Sequence, residues 1–182
     1  VSSLAQAQTL EFSGFENKNE AINLGSISID FGSWSGNEFT ENSERLSQTV
    51  TVSSANNTLN GLAESLSEIE GVNATVTDKG DGTFSLIINS DTGVKNALRL
   101  SVTEDSSDVG LAEFDTASSN ASKQVVAAQD ASVNLNGVSI TRETNVISDL
   151  IDGYEFRLNS TTSSAASISS STDQQIAFAT IS

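Results

Sequence analysis

Apolar residues at every second position, broken by glycine and asparagine, constrain this chain more than any other feature. They ask for half-buried β-strands whose side chains alternate between core and solvent. From Ser26 onward, Ile27, Ile29 and Phe31 share one face, while Ser26, Ser28 and Asp30 share the other. The pattern stops at the glycine-serine run 32–36 and resumes through Val50 and Val52. It returns at Val72, Ala74 and Val76, at Phe84, Leu86 and Ile88, and across residues 97–102. A last set runs through Ala131, Val133 and Leu135, then Val138 and Ile140, then Tyr154, Phe156 and Leu158.

Two dipeptides predict how neighbouring strands join. Asp81-Gly82 and Asn136-Gly137 each lie between alternating runs, and the favoured two-residue hairpin turn takes positive φ at both positions. One stretch abandons the period of two: Leu59, Leu62, Ala63, Leu66 and Ile69 recur every three or four residues. This predicts an amphipathic helix capped by Asn57 or Thr58 and ended by Gly71. Gly61 inside it costs about 1 kcal/mol relative to alanine, which packing must offset. A shorter stripe of Val146, Ile147, Leu150 and Ile151 predicts a second helix, capped by Thr144 or Asn145 and stopped at Gly153. The two strand-helix-strand phrases read as a loose repeat.

The connecting stretches are less informative. Residues 1–10 read as a weakly helical or extended lead-in, and 103–123 as a polar loop or lobe junction. The low-complexity run 159–172, anchored by Ile168, reads as an edge strand or a loop. The fold class is therefore α+β and β-rich: two small lobes of antiparallel strands with short amphipathic helices. Residue 1 is Val and the final AFATIS breaks off within an apolar pattern, so a middle piece of a longer protein is expected.

Charge and composition narrow the chemistry. Among 182 residues, 24 are acidic and 8 basic, a formal charge of -16 that repels phosphate backbones and anionic bilayers. Nucleic acid and membrane are accordingly not expected as partners, and no run approaches the ~20 apolar residues of a spanning helix. The chain has no histidine and no cysteine, which removes Ser-His-Asp triads, thiolate nucleophiles and Cys/His zinc sites.

The run DKGDGT at 78–83 is acidic and glycine-rich, but an EF-hand loop needs oxygen ligands at its third and fifth positions, where Gly80 and Gly82 stand. It reads as a hairpin turn. Glu104, Asp105 and Asp108 read as a solvated acidic loop rather than a carboxylate pair for glycoside cleavage. Asn56, Asn73, Asn120 and Asn159 begin Asn-x-Ser/Thr triplets of the kind a Ser/Thr/Asn-rich chain produces by accident. Trp34 reads as a cap over a thin core, or alternatively as a loop aromatic that touches a partner. No catalytic, cofactor-binding or metal-ligating residue is assigned, and no enzyme activity is expected.

Four segments, in order, carry a family resemblance. VSSLAQAQ at 1–8, GSISIDFGSWSG at 25–36, the long run TVTVSSANNTLNGLAESLSEIEGVNATVTDKGDGTFSLIINSDTG at 49–93 and AQDASVNLNGVSITRETNVISDLIDGYEFRLNSTT at 128–162 resemble the middle region of the bacterial flagellar filament capping protein family, also called hook-associated protein 2. The last segment is similar to the flagellin hook IN motif, at about 131–162. The chain departs from the family pattern in its short second helix and its acidic 103–117 loop.

The resemblance implies a non-enzymatic structural protein, exported outside the cell to the filament tip, that self-associates into a ring and promotes flagellin polymerisation. It implies a head of two β-rich domains, one inserted in the other. The proximal domain would be residues 1–19 plus 116–182, and the inserted distal domain 20–115. Implied partners are flagellin and other axial proteins. The alternatives are the outer domain of a flagellin or other axial subunit, and a surface adhesin for host glycan or mucin.

Overall fold

The computed structural model describes residues 1–19 and 21–164; the Ile168 anchor lies outside them. In chain order the strands are β1 Ala7–Phe15, β2 Gly25–Ser35, β3 Glu38–Glu41 and β4 Gln48–Val52, followed by helix α1 Leu59–Ser67. Then come β5 Val72–Asp78, β6 Phe84–Thr92, β7 Ala97–Glu104, β8 Gln124–Val126, β9 Ala131–Leu135, β10 Val138–Arg142, β11 Val146–Ile147 and β12 Phe156–Arg157.

Two antiparallel sheets carry the main core. One has the order β5-β6-β1-β8. In the other, β2 pairs with β7 along Gly25 to Gly32 and, on its opposite edge, with β4 at Gly25 to Ile29 and β3 at Gly32 to Ser35. The alternation that predicted the strands supplies the inward faces. Leu10 and Phe12 of β1, Ile27 and Ile29 of β2, Leu86 and Ile88 of β6 and Leu98 and Leu100 of β7 join Leu59, Leu62 and Leu66 of α1 in one continuous core. Each such side chain contributes roughly 1.5–3 kcal/mol on burial.

Helix α1 begins as expected, with Thr58 extended at φ -125° and its hydroxyl accepting from the Gly61 N–H at 3.0 Å. Gly61 is there for space: a Cβ would lie 2.6 Å from the Asn56 carbonyl oxygen. The strand through Ile27 outlasts its expected stop and runs to Ser35, because Gly32 lets the crossing β3 come close. A Cβ at Gly32 would sit 2.1 Å from the Thr40 carbonyl oxygen.

Several expectations change. Of the two forms expected for the lead-in 1–10 it takes the extended one, with Ala7–Leu10 opening β1, which lies in the middle of its sheet between β6 and β8. Its Ala-Gln-rich composition hides the fully buried Gln8, Leu10 and Phe12. Within 103–123, a 3-10 turn at Leu111–Phe114 drives both of its apolar residues into the core. The Phe114 ring tilts against Phe12 at 5.3 Å and stacks on Phe15 at 5.8 Å. Two apolar residues make too short a pattern to announce such an anchor.

The second helix does not form. Val146 and Ile147 are β11, paired with Arg157 and Phe156 of β12. Six residues are too few to offset helix nucleation, and the expected cap is used elsewhere. The Asn145 side chain accepts from the Ala5 N–H at 2.8 Å and donates to the Ala5 carbonyl at 2.9 Å. The loose repeat fails with it, since only the first phrase is strand-helix-strand. At Asp81-Gly82 the residues with positive φ are Gly80 and Gly82, not Asp81, and the turn is a longer loop closed by the Lys79 N–H on the Thr83 carbonyl. Asn136 and Gly137 do adopt the expected pair of positive φ values, 52° and 90°.

The pairing of β1 bears on the division into lobes. The expected boundaries at 19/20 and 115/116 cut through one sheet, because β1 and β8 hydrogen-bond to each other and β1 to β6. Gln6 and Gln129, by contrast, bridge through N–H to O contacts of 2.8 and 3.0 Å just outside that sheet. Beyond the bridge, residues 1–5 thread along the β9–β10 and β11–β12 hairpins, with Ser2 and Ser3 bonded to the Ser132 carbonyl.

Candidate interaction surface

The acids that invited a metal or catalytic reading are spent on shaping loops. Asp81 accepts from the Thr83 hydroxyl at 2.7 Å and N–H at 2.9 Å, which holds its carboxyl below the usual range. Asp78 accepts from the Gly80 N–H. Glu104 accepts from the Ala112 N–H at 2.9 Å and the Gly110 N–H at 2.6 Å, and these donors lower its pKa. Asp108 bonds the Leu24 N–H and the Asn23 amide, both at 2.8 Å. The Glu104 and Asp108 carboxylates thus pin the turn that carries Leu111 and Phe114. Among the described residues, no group of three or more acids converges as a metal site would require.

Trp34 is a half-buried cap. It lies on β2, tilts against Phe39 at 4.9 Å and donates its indole N–H to the Leu98 carbonyl at 3.0 Å. Of the four Asn-x-Ser/Thr asparagines, Asn120 is buried, with its amide bonded to Gln124 at 2.8 Å. Asn56 is a loop brace, while Asn73 and Asn159 are exposed.

Cations are drawn inward against this acidic surface. Arg99 forks onto Asp30 at 2.8–2.9 Å, reaches Glu41 at 2.6 Å and lies over the Phe39 ring at 4.7 Å, while Ser47 donates to the same Asp30 carboxylate. Arg45 lies 3.7 Å over the Phe31 ring and bonds the Glu70 carbonyl. Lys79 pairs with Glu11 at 2.6 Å. With these cations engaged, the accessible charge is dominated by carboxylates.

An open groove of about 840 Å³ lies between β4, the 44–46 loop and the end of α1. It is rimmed by Glu44, Glu68, Glu70 and Asp91, and Leu46 stands 82% exposed at its mouth. Sequence reasoning missed it. Leu46 was its one exposed apolar signal, and a single leucine in a polar loop carries no period.

Comparison with known proteins matches both this fold and its order of elements. Residues 128–182 match the family model described as flagellar hook-associated protein 2 C-terminus. Flagellar hook-associated protein 2 of Escherichia coli K12 is 38% identical over 104 residues, covering 56% of this chain and 22% of that protein. The crystal structure of the Escherichia coli flagellar cap protein FliD D2-D3 domains superposes with a TM-score of 0.72 at 30% identity, covering 90% of this chain and 81% of that one. The Serratia marcescens FliD D2-D3 structure superposes at 0.74 with 27% identity, covering 90% and 86%.

This β-rich, acid-surfaced chain is alike over 90% of its length to the D2-D3 domains of flagellar cap proteins, which defines its class. The chain belongs to the flagellar hook-associated protein 2, or FliD, family. It spans about a fifth of the length of the curated relatives it matches.

Proposed function

We propose that this chain is the head of a flagellar filament cap, working outside the cell at the filament tip, where it promotes flagellin polymerisation as a non-enzymatic scaffold. The observation that carries this reading is its likeness to the FliD D2-D3 structure across 81% of that chain. That the relatives are hook-associated protein 2 favours the cap over a flagellin outer domain or a glycan adhesin. Flagellin and other axial proteins are the partners of this reading, and the full-length protein self-associates into a ring.

The main sheets act as a stiff wall, inserted between residues 6 and 127 of the smaller hairpin unit. What supports this neck, as against a division at 20–115, is the Gln6–Gln129 bridge, whose two backbone hydrogen bonds close the insertion. Excising 7–126 from the full-length protein and joining the adjacent ends tests the role. Filaments become few and short if the wall is needed; normal filament number and length overturn the proposal.

A further inference from the structure

The sheet that contains β2 treats its two outer edges differently. On β7 five outward backbone groups are closed, four by side chains and one by a backbone N–H. The Leu98 N–H donates to Gln8 and its carbonyl accepts from Trp34. The Leu100 N–H donates to the Thr116 hydroxyl and its carbonyl accepts from the Thr116 N–H. The Val102 N–H donates to Asp115. In the other sheet, Ser67 of α1 closes both Ala74 groups on the β5 edge.

β4 lacks such closure. Leu98, Leu100 and Val102 face away from β2, so Ser26, Ser28 and Asp30 bond to β7, and by alternation Ile27 and Ile29 bond to Val50 and Gln48 of β4. Thr49 and Thr51 therefore point outward. The Asn56 amide, which donates to the Thr51 carbonyl at 3.0 Å and accepts from the Ser53 N–H at 2.8 Å, confirms that direction and plugs one end. Among the described residues, nothing bonds the Thr49 N–H, the Thr49 carbonyl or the Thr51 N–H. These groups open into the 840 Å³ groove.

We propose that the β4 edge is a strand-addition site for an extended segment of a partner polypeptide that carries basic and apolar side chains. Backbone groups of the segment would pair with Thr49 and Thr51, in the manner of peptides that extend an exposed sheet edge. Leu46 and the partly buried Ile69 offer apolar contact, and Glu44, Glu68 and Glu70 select positive charge, while Asp91 is paired with Arg45 of the same groove at 3.6 Å. That charge, together with the net -16 of the chain, argues against a second copy as the occupant. The inference does not depend on the cap reading.

The test titrates the full chain with an end-blocked ten-residue peptide of alternating lysine and valine, followed by amide chemical shifts. The Thr49 and Thr51 amides shift and become protected from exchange, and the same peptide with glutamate for lysine does not bind. Thr49→Pro removes an outward donor that the ladder to β2 does not use, and it weakens binding about fivefold, the worth of one backbone hydrogen bond. Glu68→Lys combined with Glu70→Lys, both on the exposed surface, reverses the preference toward the glutamate peptide. Unchanged affinity in both variants, binding of both peptides alike, or self-association through β4 in sedimentation without peptide each overturns the proposal.

Discussion

The two-sheet unit of residues 7–126 and the hairpins of 131–157 draw on the same alternating residue types, yet they differ in what they bury. The first encloses Phe12, Phe114 and eleven further large apolar side chains at under 2% exposure. In the second only Ala131 and Ile147 are buried, while Val138, Val146, Ile151 and Tyr154 are 43–62% exposed. Two-stranded hairpins are marginal by themselves in water. This pair is held by threading residues 1–5 through Ser132 and Asn145 and by contacts such as Val94 N–H to Asp130 at 2.7 Å. Alternation makes strands, but a second layer makes a stable unit.

Three experiments press on that difference. Phe114→Ala should cost about 3–5 kcal/mol, the usual penalty for emptying a buried aromatic position. Hydrogen exchange would show protection falling in β1, β6 and β7 while β9 and β10 keep theirs; equal loss in both regions would mean that they unfold as one. Gly137→Val should cost about 1–3 kcal/mol, all of it from forcing a β-branched residue to φ 90°, since the space around the glycine is open. The loss should stay within the β9–β10 hairpin, and a matching fall in the melting of the larger unit would erase the contrast.

The smallest expected effect is a response to acid. Backbone N–H groups of Ala112 and Gly110 hold the Glu104 carboxyl below its ordinary 4.5, so the unfolded chain takes up that proton first. The contribution is present above pH 4.5 and disappears as pH falls through the lower folded value. Exchange at the Ala112 and Gly110 amides should then rise while β9–β10 amides are unaffected by this group. Glu104→Gln should reproduce the rise at neutral pH, and a flat profile would remove the clasp from the account.

Much of this fold was legible from residue order. Period-two runs located β2, β4, β5, β6, β7, β9 and β10, and the period-3.6 stripe located α1 with its Thr58 cap. The Asn136-Gly137 turn followed from backbone sterics. Each of these rests on local rules that hold whatever the chain packs against. The resemblance placed the chain in its family, and the comparisons agree with it.

Tertiary structure decided the remainder. Whether Val146 and Ile147 became helix or strand depended on Phe156 across the sheet and on Ala5, which claims the Asn145 side chain from a distance of 140 positions. Which edge was closed depended on Gln8, Thr116 and Trp34 reaching β7, and on none of the described residues reaching Thr49. Burial of Phe114 and the backbone bridge between Gln6 and Gln129 are likewise products of long-range pairing. The sequence by itself determined which segments could alternate, cap and turn, because those preferences are written in neighbouring residues. Partners, boundaries and open edges were settled only when distant segments met, because hydrogen-bond satisfaction and packing are properties of the assembled sheets.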